Sequence, residues 1–474
     1  FGSSPWLEWS WPELLAWPCG EHAPMAEHAS RDQPLSLAII GGGICGAVAA
    51  SALSAGGRRV DLFDQGRRGL GGRASHRAVD GSGVVLPDDP PIPHGALEFD
   101  HGCQFFRADD PRMRGLVEEW RARGWADEWR GRFGSVGQAP DFFGLPSVDA
   151  PVFVGLGGMH RLPRQILDAC DAESLTVHRG VRVAGLRQDV DVVSGNSKWA
   201  LLGVGGEAAY HDTPEADAKT AQNEVLGHFD AVLLTDVSSS FGGWHRASAG
   251  VPESFAAKVR DRARIPLFAA MVAFAEPLGV PLDGIAFGAA EAALWWATRT
   301  QSKPGLETCG GGSECWTLIS TPGFAVDEIE SEPMQDAATG AFKPQDNEYL
   351  NSGPAPALVR EFTKQVDHLR SSPGSRIPDI VYLQGQRWGS GMPAPRHVGG
   401  RDALGRGPST VRLMGVDYDR AVPPLVFDRP SAAEGCSDYI ADGSIGLFYA
   451  GDFTSHRAPG FEASALAGLD VAEH

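Results

Sequence analysis

Several features that would place a protein in a class at once are missing from this sequence of 474 residues. The formal net charge is −19 and Lys is scarce, so the chain lacks the clustered cations that nucleic acids and anionic membranes attract. No apolar run is long enough to span a bilayer, since the longest, residues 37–44 and 266–274, have the length of buried strands. We therefore predict no nucleic-acid partner and no transmembrane segment.

The seven cysteines and fourteen histidines also lack the spacing of a metal site. No C-x-x-C pair occurs, and scattered cysteines in odd number suit a reducing compartment better than a disulfide framework. The sequence therefore predicts no metal and a soluble protein of the cytoplasm or of an organelle, with the stromal side of a plastid as a candidate. Cys309 and Cys315 flank a Gly-rich loop, where we expect surface thiols.

The first 33 residues differ in character from the rest. Trp6, Trp9, Trp11 and Trp17 lie among Pro and Glu, and tryptophans this dense usually need a surface that covers them. The segment predicts either packing on the chain's own surface or docking on a protein partner or a membrane interface. It lacks the basic region and long apolar core of a secretory signal. Because the sequence begins at Phe1, removal of an upstream segment after organelle import is a further expectation.

A hydrophobic content of 42% with 21% charged residues is typical of a folded protein, and the length suggests two or three domains. Residues 35–64 are typical of a strand, a glycine turn, a helix of small residues and a second strand. Further strand-like segments follow in 151–240, and 447–474 predicts a strand, a loop and a helix over FEASALAGLDVAE. Together these segments predict a parallel sheet with helices.

The glycine turn carries a G-x-G-x-x-G pattern directly between a strand and a helix. Gly41 permits the tight turn, Gly43 lets the backbone approach a pyrophosphate, and Gly46 lets the helix pack close to the strand. Asp64 ends the next strand, where its carboxylate would accept hydrogen bonds from ribose hydroxyls and repel a 2′-phosphate. The pattern predicts a dinucleotide site at the helix N-terminus, and not one for NADP.

A second glycine pair follows closely, in Gly71-Gly72-Arg73. Such a pair can line the far side of a pyrophosphate, and the guanidinium would offset the phosphate charge. We interpret this second element as favouring FAD over NAD.

The third motif lies near the end of the chain. Gly451 and Asp452 follow an apolar strand, and Asp452 would hold a ribityl hydroxyl. The helix that begins near Phe461, with Glu462 and Ala463 in its first turn, would direct its amides at the flavin O2/N1 edge. The sequence therefore predicts non-covalent FAD held by segments near both ends of the chain.

These motifs predict an α/β protein with a discontinuous Rossmann-type FAD-binding domain and an inserted α+β substrate domain. The predicted boundaries are an extension at 1–33, an FAD-binding domain at 34–105, 151–245 and 380–474, and a substrate domain at 106–150 and 246–379.

Taken together, the motifs resemble the renalase-like branch of the FAD-dependent amine oxidase superfamily. The segments FDHGCQFF (99–106), GLGGMHRLPRQIL (155–167) and QGQRWGSGMP (384–393) are also similar to this branch. The resemblance covers most of residues 35–474. It implies a small-molecule substrate above the isoalloxazine ring, hydride transfer to flavin N5 and reoxidation by oxygen, with dihydronicotinamide isomers as substrates and amines as the second branch.

Four aromatic residues are candidates for the region around the flavin. Trp388 is expected near the flavin face, with Trp295, Trp296 and Phe105 as walls, although core packing would explain each of them equally well.

Two polar residues, Gln104 and Arg387, are candidates for contacts with substrate or flavin. Arg387 could instead belong to a structural ion pair. A buried, hydrogen-bonded role for His101 near the adenine ribose is favoured over a catalytic one.

Two other functions stay open from the sequence. The chain could be a flavoprotein-fold accessory subunit of a larger assembly, with little or no catalytic role. It could also be a carotenoid-type desaturase or isomerase, which would need a long apolar tunnel. An unblocked cavity above the flavin would favour the enzyme, and a plugged one the subunit.

Overall fold

The computed structural model describes residues 35–66, 69–87, 92–137, 151–190, 197–205, 224–235, 250–260, 264–288, 293–333, 346–393, 410–413, 416–419, 438–455, 457 and 459–474. The Trp-rich segment at 1–33 lies outside the described residues. Within the described part of the chain, no helix is both long and apolar enough to cross a membrane.

The described elements are strands, most of them in consecutive runs, with short helices between the runs. The helices are α1 (Ile44–Ala55), α2 (Pro111–Ala122), α3 (Arg161–Asp168), α4 (Glu253–Arg260), α5 (Pro322–Ser331), α6 (Asn347–Ser352), α7 (Pro354–Val366) and α8 (Phe461–Glu473). The strands are β1 (Ser36–Ile40), β2 (Arg59–Asp64), β3 (His76–Val79), β4 (Leu97–Asp100), β5 (Phe106–Arg107), β6 (Ala126–Glu128), β7 (Phe133–Val136), β8 (Val152–Gly155), β9 (Leu175–Arg179), β10 (Val181–Val190), β11 (Ser197–Gly205), β12 (Val225–Phe229), β13 (Ala231–Leu234), β14 (Arg264–Phe274), β15 (Gly284–Phe287), β16 (Leu294–Arg299), β17 (Glu314–Ser320), β18 (Ile380–Pro393), β19 (Thr410–Leu413), β20 (Val416–Asp419), β21 (Tyr439–Asp442) and β22 (Leu447–Ala450).

The first six-stranded sheet has the order β21-β22-β13-β1-β2-β9. All its neighbouring strands are parallel except β21, which runs antiparallel to β22. In the central strand β1, Ile39 pairs with Leu62 on one side and with Leu233 on the other. Such buried apolar strands need helices on their faces, and the predicted α/β fold with a Rossmann-like sheet is confirmed.

Helices α1 and α8 cover this sheet and pack closely on each other because small residues line their contact. A Cβ atom at Gly468 would lie 2.3 Å from the carbonyl oxygen of Cys45, so the contact needs glycine. A Cβ atom at Gly46 would lie 2.0 Å from the Gly41 oxygen, which explains the last glycine of the turn. The predicted last helix is confirmed over Phe461–Glu473.

The second six-stranded sheet has the order β18-β14-β17-β16-β15-β7 and is antiparallel except where β7 joins β15. Its apolar face buries Phe268, Trp316 and Phe362, the last on helix α7. Burial of such large side chains supplies most of the energy that holds helices on a sheet.

Two segments pack against a different sheet from the one that belongs to their predicted domain. Strand β18, within the predicted FAD-binding domain, pairs along its length with β14 of the second sheet. Helix α2, within the predicted substrate domain, packs against α8 and shares the core of α1. The division into two domains stays a prediction, and these two segments pack outside the domains predicted for them.

The smaller sheets are β10-β11-β12, β5-β8-β6 and the pairs β3-β4 and β19-β20. The expectation that Cys309 and Cys315 are surface thiols is wrong. Both are buried free cysteines that pack with Val79 and Phe99, because the Gly-rich loop between them folds back onto β4.

Candidate functional site

A large cavity of about 1110 Å³ lies between the two sheets. Its first wall, on the side of the Rossmann-like sheet, contains the segments 41–45, 63–66, 69–77, 101–107, 449–453 and 459–462. Its second wall, from the second sheet and helix α6, contains Leu267, Trp295, Trp296, Ile319, Asn347, Gln384, Gln386, Trp388, Gly391 and Met392. Pockets for drug-sized ligands reach about 1,000 Å³, so this cavity has room for a ligand of dinucleotide size.

The glycine turn places the positive end of helix α1 at the first wall. Gly41 has a φ of 112°, in the region that favours glycine. The first intrahelical bond runs from the Ala47 amide to the Gly43 carbonyl at 2.9 Å, so the amides of 44–46 have no acceptor within the helix. Because Ile44 and Cys45 line the cavity, these amides offer a site for an anion there.

Asp64 lies beside the turn, as the sequence predicts. Its two carboxylate oxygens accept hydrogen bonds from the Gly42 amide at 2.7 Å and from the Gly66 amide at 2.8 Å. A carboxylate has about four acceptor positions, and these two bonds use two of them. Asp64 therefore fixes the turn and also lines the cavity.

The second glycine pair lies directly on the first turn. The Gly71 amide donates to the Gly42 carbonyl at 2.9 Å, and Gly43 and Gly71 form a parallel bridge. A Cβ atom at Gly72, which has a φ of 55°, would lie 3.3 Å from the Gly43 Cα. The two glycine motifs thus form one continuous backbone surface on the cavity.

Arg73 and Asp452, predicted to bind different parts of the cofactor, form an ion pair. The Arg73 Nη1 donates to Asp452 Oδ2 at 2.9 Å and to the Gly391 carbonyl at 3.2 Å, and Nη2 donates to Asp452 Oδ1. Burial lowers the pKa of Arg73, but the Asp452 carboxylate outweighs burial and holds that pKa above its ordinary value. The predicted roles at pyrophosphate and ribityl chain stay predictions.

The N-terminus of helix α8 is the second helix end at the cavity. Phe461 and Glu462 line the cavity, whereas Ala463 is buried in the helix and lies outside the lining. The Glu462 Oε1 accepts a hydrogen bond from the Asp110 amide at 2.7 Å, and burial raises the pKa of this carboxyl.

Two glycines of the first wall face open space. Gly451 and Gly460 have φ values of 147° and 140°, and a Cβ atom at either position would meet nothing within 4 Å. Since both line the cavity, a side chain there would project into the volume between the two helix ends. This cradle fits a cofactor that runs along the first wall from α1 to α8.

In the second wall, strand β18 presents every other residue to the cavity. Gln384, Gln386 and Trp388 line it, and Arg387, between them, does not. Burial lowers the pKa of Arg387. The Trp388 Nε1 donates to the His101 carbonyl at 2.9 Å, and the two rings stack at 5.6 Å, so Trp388 joins the two walls.

Adjacent residues of β16, Trp295 and Trp296, both line the cavity. Residues next to each other in a strand normally point to opposite faces, but the register with β17 shifts between Leu294 and Trp296. This irregularity explains how both rings reach the same space. Phe105 lies 5.4 Å from the Trp296 ring, as a centroid distance, so the predicted aromatic walls are assembled.

Gln104 is buried in the same region. The Thr298 hydroxyl donates to its Oε1 at 2.8 Å, and Gln104 lines the cavity. Its Nε2 finds no acceptor within the described part of the chain.

A buried charge network behind the first wall was not foreseen from the sequence. The Asp100 carboxylate accepts bonds from Lys303 Nζ, His76 Nδ1 and the Met159 amide, each at 2.9 Å. Burial raises the pKa of Asp100, but Lys303 and then His76 lower it far more, so it lies well below its usual range.

The pKa values of two histidines, His76 in this network and His160 beside it, are shifted in opposite directions. Burial lowers the pKa of His76, but bonds to Asp100 and Glu98 outweigh it and raise the pKa to about 9. The ring of His160 stacks on His76 at 4.7 Å, and burial together with the His76 charge lowers its pKa to about 3. Both line the cavity. His76 follows the second glycine pair and His160 lies within the segment 155–167, but the sequence does not show that their rings stack on each other.

Residues 39–120 match a family described as an NAD(P)-binding Rossmann-like domain. Among solved structures, a variant of putrescine oxidase from a redesign of cofactor binding is similar, with a TM-score of 0.50 and 11% identity over 93% of this chain and 98% of that one. An oxidoreductase from Methanosarcina mazei has a TM-score of 0.47 and 13% identity over 93% and 100% of the two chains.

Aklavinone-11 hydroxylase, solved with FAD and aklavinone, has a TM-score of 0.45 and 14% identity over 94% of this chain and 62% of that one. The chain has a mixed α/β fold with a Rossmann-like sheet, and in fold it is similar to the putrescine oxidase variant.

Proposed function

We propose that the protein is an FAD-dependent oxidoreductase of renalase type that binds FAD non-covalently and oxidises a small reduced molecule, dihydronicotinamide-like or an amine. The observation that carries the proposal is the cavity that extends from the glycine surface at the N-terminus of α1 to the N-terminus of α8. Bound FAD would supply the redox chemistry, accepting hydride at flavin N5 and passing the electrons to oxygen.

The first wall offers each part of such a cofactor a suitable partner. The free amides of 44–46 and the approachable Gly43 would hold the pyrophosphate, and Asp64 the ribose. The amides of α8 would face the pyrimidine edge of the flavin, where negative charge develops on reduction.

The second wall would hold the substrate over the ring. Trp295, Trp296 and Trp388 would exclude water from the reacting atoms, and Gln104 of the first wall, held by Thr298 of β16, would orient the substrate. A dry, aromatic site favours hydride transfer because no solvent has to reorganise around the reacting carbon and N5.

The accessory-subunit alternative is less well supported. In the described residues the space between the two walls is open, which is what a catalytic cavity needs.

An anaerobic visible spectrum tests the proposal. We expect the purified protein to carry flavin that denaturation releases as FAD. Reduced nicotinamide isomers or simple amines should bleach it, and air should restore it. Flavin that neither class reduces would point to the accessory subunit, and the absence of flavin under all conditions would contradict the proposal.

A matched glycine pair separates cofactor binding from folding. In Gly43→Ala the new Cβ would lie 3.8 Å from the Gly71 oxygen, an ordinary contact, so the fold should persist while the pyrophosphate is pushed away. We expect an unchanged Tm for the apo-protein and at least a tenfold weaker Kd for FAD, which is about 1.4 kcal/mol. In the control Gly81→Ala the Cβ meets nothing within 4 Å, and both values should be unchanged.

A further inference from the structure

The two walls of the cavity differ in charge. The acidic residues and arginines of the first wall are Asp64, Arg73, Arg77, Arg107, Asp452 and Glu462. Among the described residues of the second wall there is no Asp, Glu, Lys, Arg or His, only Trp, amide, aliphatic, Met and Gly residues. A charged ligand group that leaves water needs a paired, hydrogen-bonded partner, so this wall offers little to an ion.

Two cations of the first wall contact the second wall: Arg73, which is paired with Asp452, at the Gly391 carbonyl, and Arg77 at Gln386. Arg77, which is buried on β3, donates from Nη2 to Gln386 Oε1 at 3.2 Å and lines the cavity. Like charges in a region of low dielectric repel strongly, so Arg77 disfavours an ammonium group beside Gln386.

Gln104 and Thr298, which lie beside the aromatic rings, are neutral hydrogen-bonding groups. Gln104 is held through its Oε1 by Thr298, and its buried Nε2 finds no acceptor within the described residues. A buried N–H without an acceptor is unfavourable, and a ligand oxygen or nitrogen would remove that cost. The Trp295, Trp296 and Phe105 rings beside it suit a flat molecule.

We propose that the cavity selects an uncharged, planar substrate with a hydrogen-bond acceptor that receives the Gln104 Nε2 proton, and that Thr298 is the positioning residue for this amide. The inference rests on the proposed function, because it takes the first wall as the place of FAD. It excludes an amine cation as the preferred substrate.

Three benzene derivatives of similar size test the charge preference: benzamide is neutral, benzylamine is a cation at pH 7.5 and benzoate is an anion. Each is titrated into the FAD-loaded protein, and binding is followed by the change in the flavin spectrum. We expect benzamide to bind at least tenfold more tightly than either ion. An ion that binds as tightly as benzamide would overturn the proposal.

Gln104→Glu keeps the acceptor for Thr298 and replaces the N–H donor by an oxygen. We expect about tenfold weaker binding of benzamide, the upper range for one hydrogen bond, and tighter binding of benzylamine. Gln188→Glu makes the same change on the exposed face of β10 and should change neither affinity. An unchanged preference in Gln104→Glu would contradict the assignment.

Thr298→Val introduces no charge and should lower the ratio of benzamide to benzylamine affinity at an unchanged flavin content. It decides the matter if Gln104→Glu fails to fold. A protein that binds no flavin in its wild-type form would refute the proposed function, whereas wild-type flavin with a reversed charge preference would refute only this inference.

Discussion

The two walls of the cavity recognise ligands by different means. The first wall presents backbone: the amides of 44–46, the glycine surface of 41–43 and 71–72, and the start of α8. The second presents side chains carried by strands, such as Gln384, Gln386 and Trp388. A backbone wall depends on glycine and tolerates few changes, whereas a side-chain wall can change its chemistry while its strands remain in place.

The contact between the walls gives the largest expected effect. A Cβ atom at Gly102 would lie 2.1 Å from the backbone oxygen of Arg73 and 3.3 Å from the Trp388 ring, so the Arg73 backbone would have to shift. Gly102→Ala should therefore lose more than the ~1–3 kcal/mol of ordinary overpacking, and it should abolish flavin binding. The flavin-to-protein ratio measures this, and a wild-type ratio would show that the walls meet elsewhere.

The buried pair behind the first wall comes next. Asp100→Asn leaves Lys303 and His76 buried beside a neutral side chain, and breaking such a pair costs about 3–5 kcal/mol. Urea unfolding followed by Trp fluorescence should show this loss. The control Asp379→Asn breaks an exposed pair with Arg376 and should leave the unfolding midpoint unchanged.

The pH dependence of the free energy of unfolding tests the same network, with a smaller expected effect. Because His76 has a folded pKa of about 9, above the usual value of about 6.5, its contribution is full below pH ~6.5 and is lost as the pH rises through 9. About 1.4 kcal/mol per pKa unit gives a loss of roughly 3 kcal/mol. His76→Gln should flatten this slope, and an equal slope in both proteins would assign it to another group.

The side-chain wall gives the smallest effect. Trp388→Phe removes the bond from Nε1 to the His101 carbonyl, worth about 1 kcal/mol, while it keeps an aromatic ring. Flavin content should stay unchanged, and the Kd of benzamide should rise a few-fold. If Trp388→Phe lost its flavin instead, the separation of the two walls by function would fail.

The first wall was largely predictable because its chemistry is local. Gly41, Gly43 and Asp64 stand close in sequence, and a turn between strand and helix needs glycine for steric reasons that any sequence shows. The start of α8 near Phe461 was also predicted, because the strand, loop and helix at this end of the chain are close in sequence.

The aromatic residues of the second wall were predicted as candidates, but the contacts of that wall and the buried network were not predictable, because the contacting residues are distant in sequence. Asp100 and Lys303 are separated by 203 residues, and Arg73 and Asp452 by 379. The sequence of β18 contains no pattern that indicates which sheet it joins, and for this reason it was assigned to the FAD-binding domain.

The alternation along β18 has a consequence for insertions and deletions. Even-numbered residues from Gln384 to Trp388 face the cavity, whereas a Cβ atom at Gly385 would lie 2.8 Å from the Leu350 oxygen on the other face. A shift of one residue exchanges the two faces of a strand. Deletion of a single residue at the start of β18 would thus bring Gly385, Arg387 and Gly389 to the cavity in place of Gln384, Gln386 and Trp388, so that one cation would replace two amides and an aromatic ring.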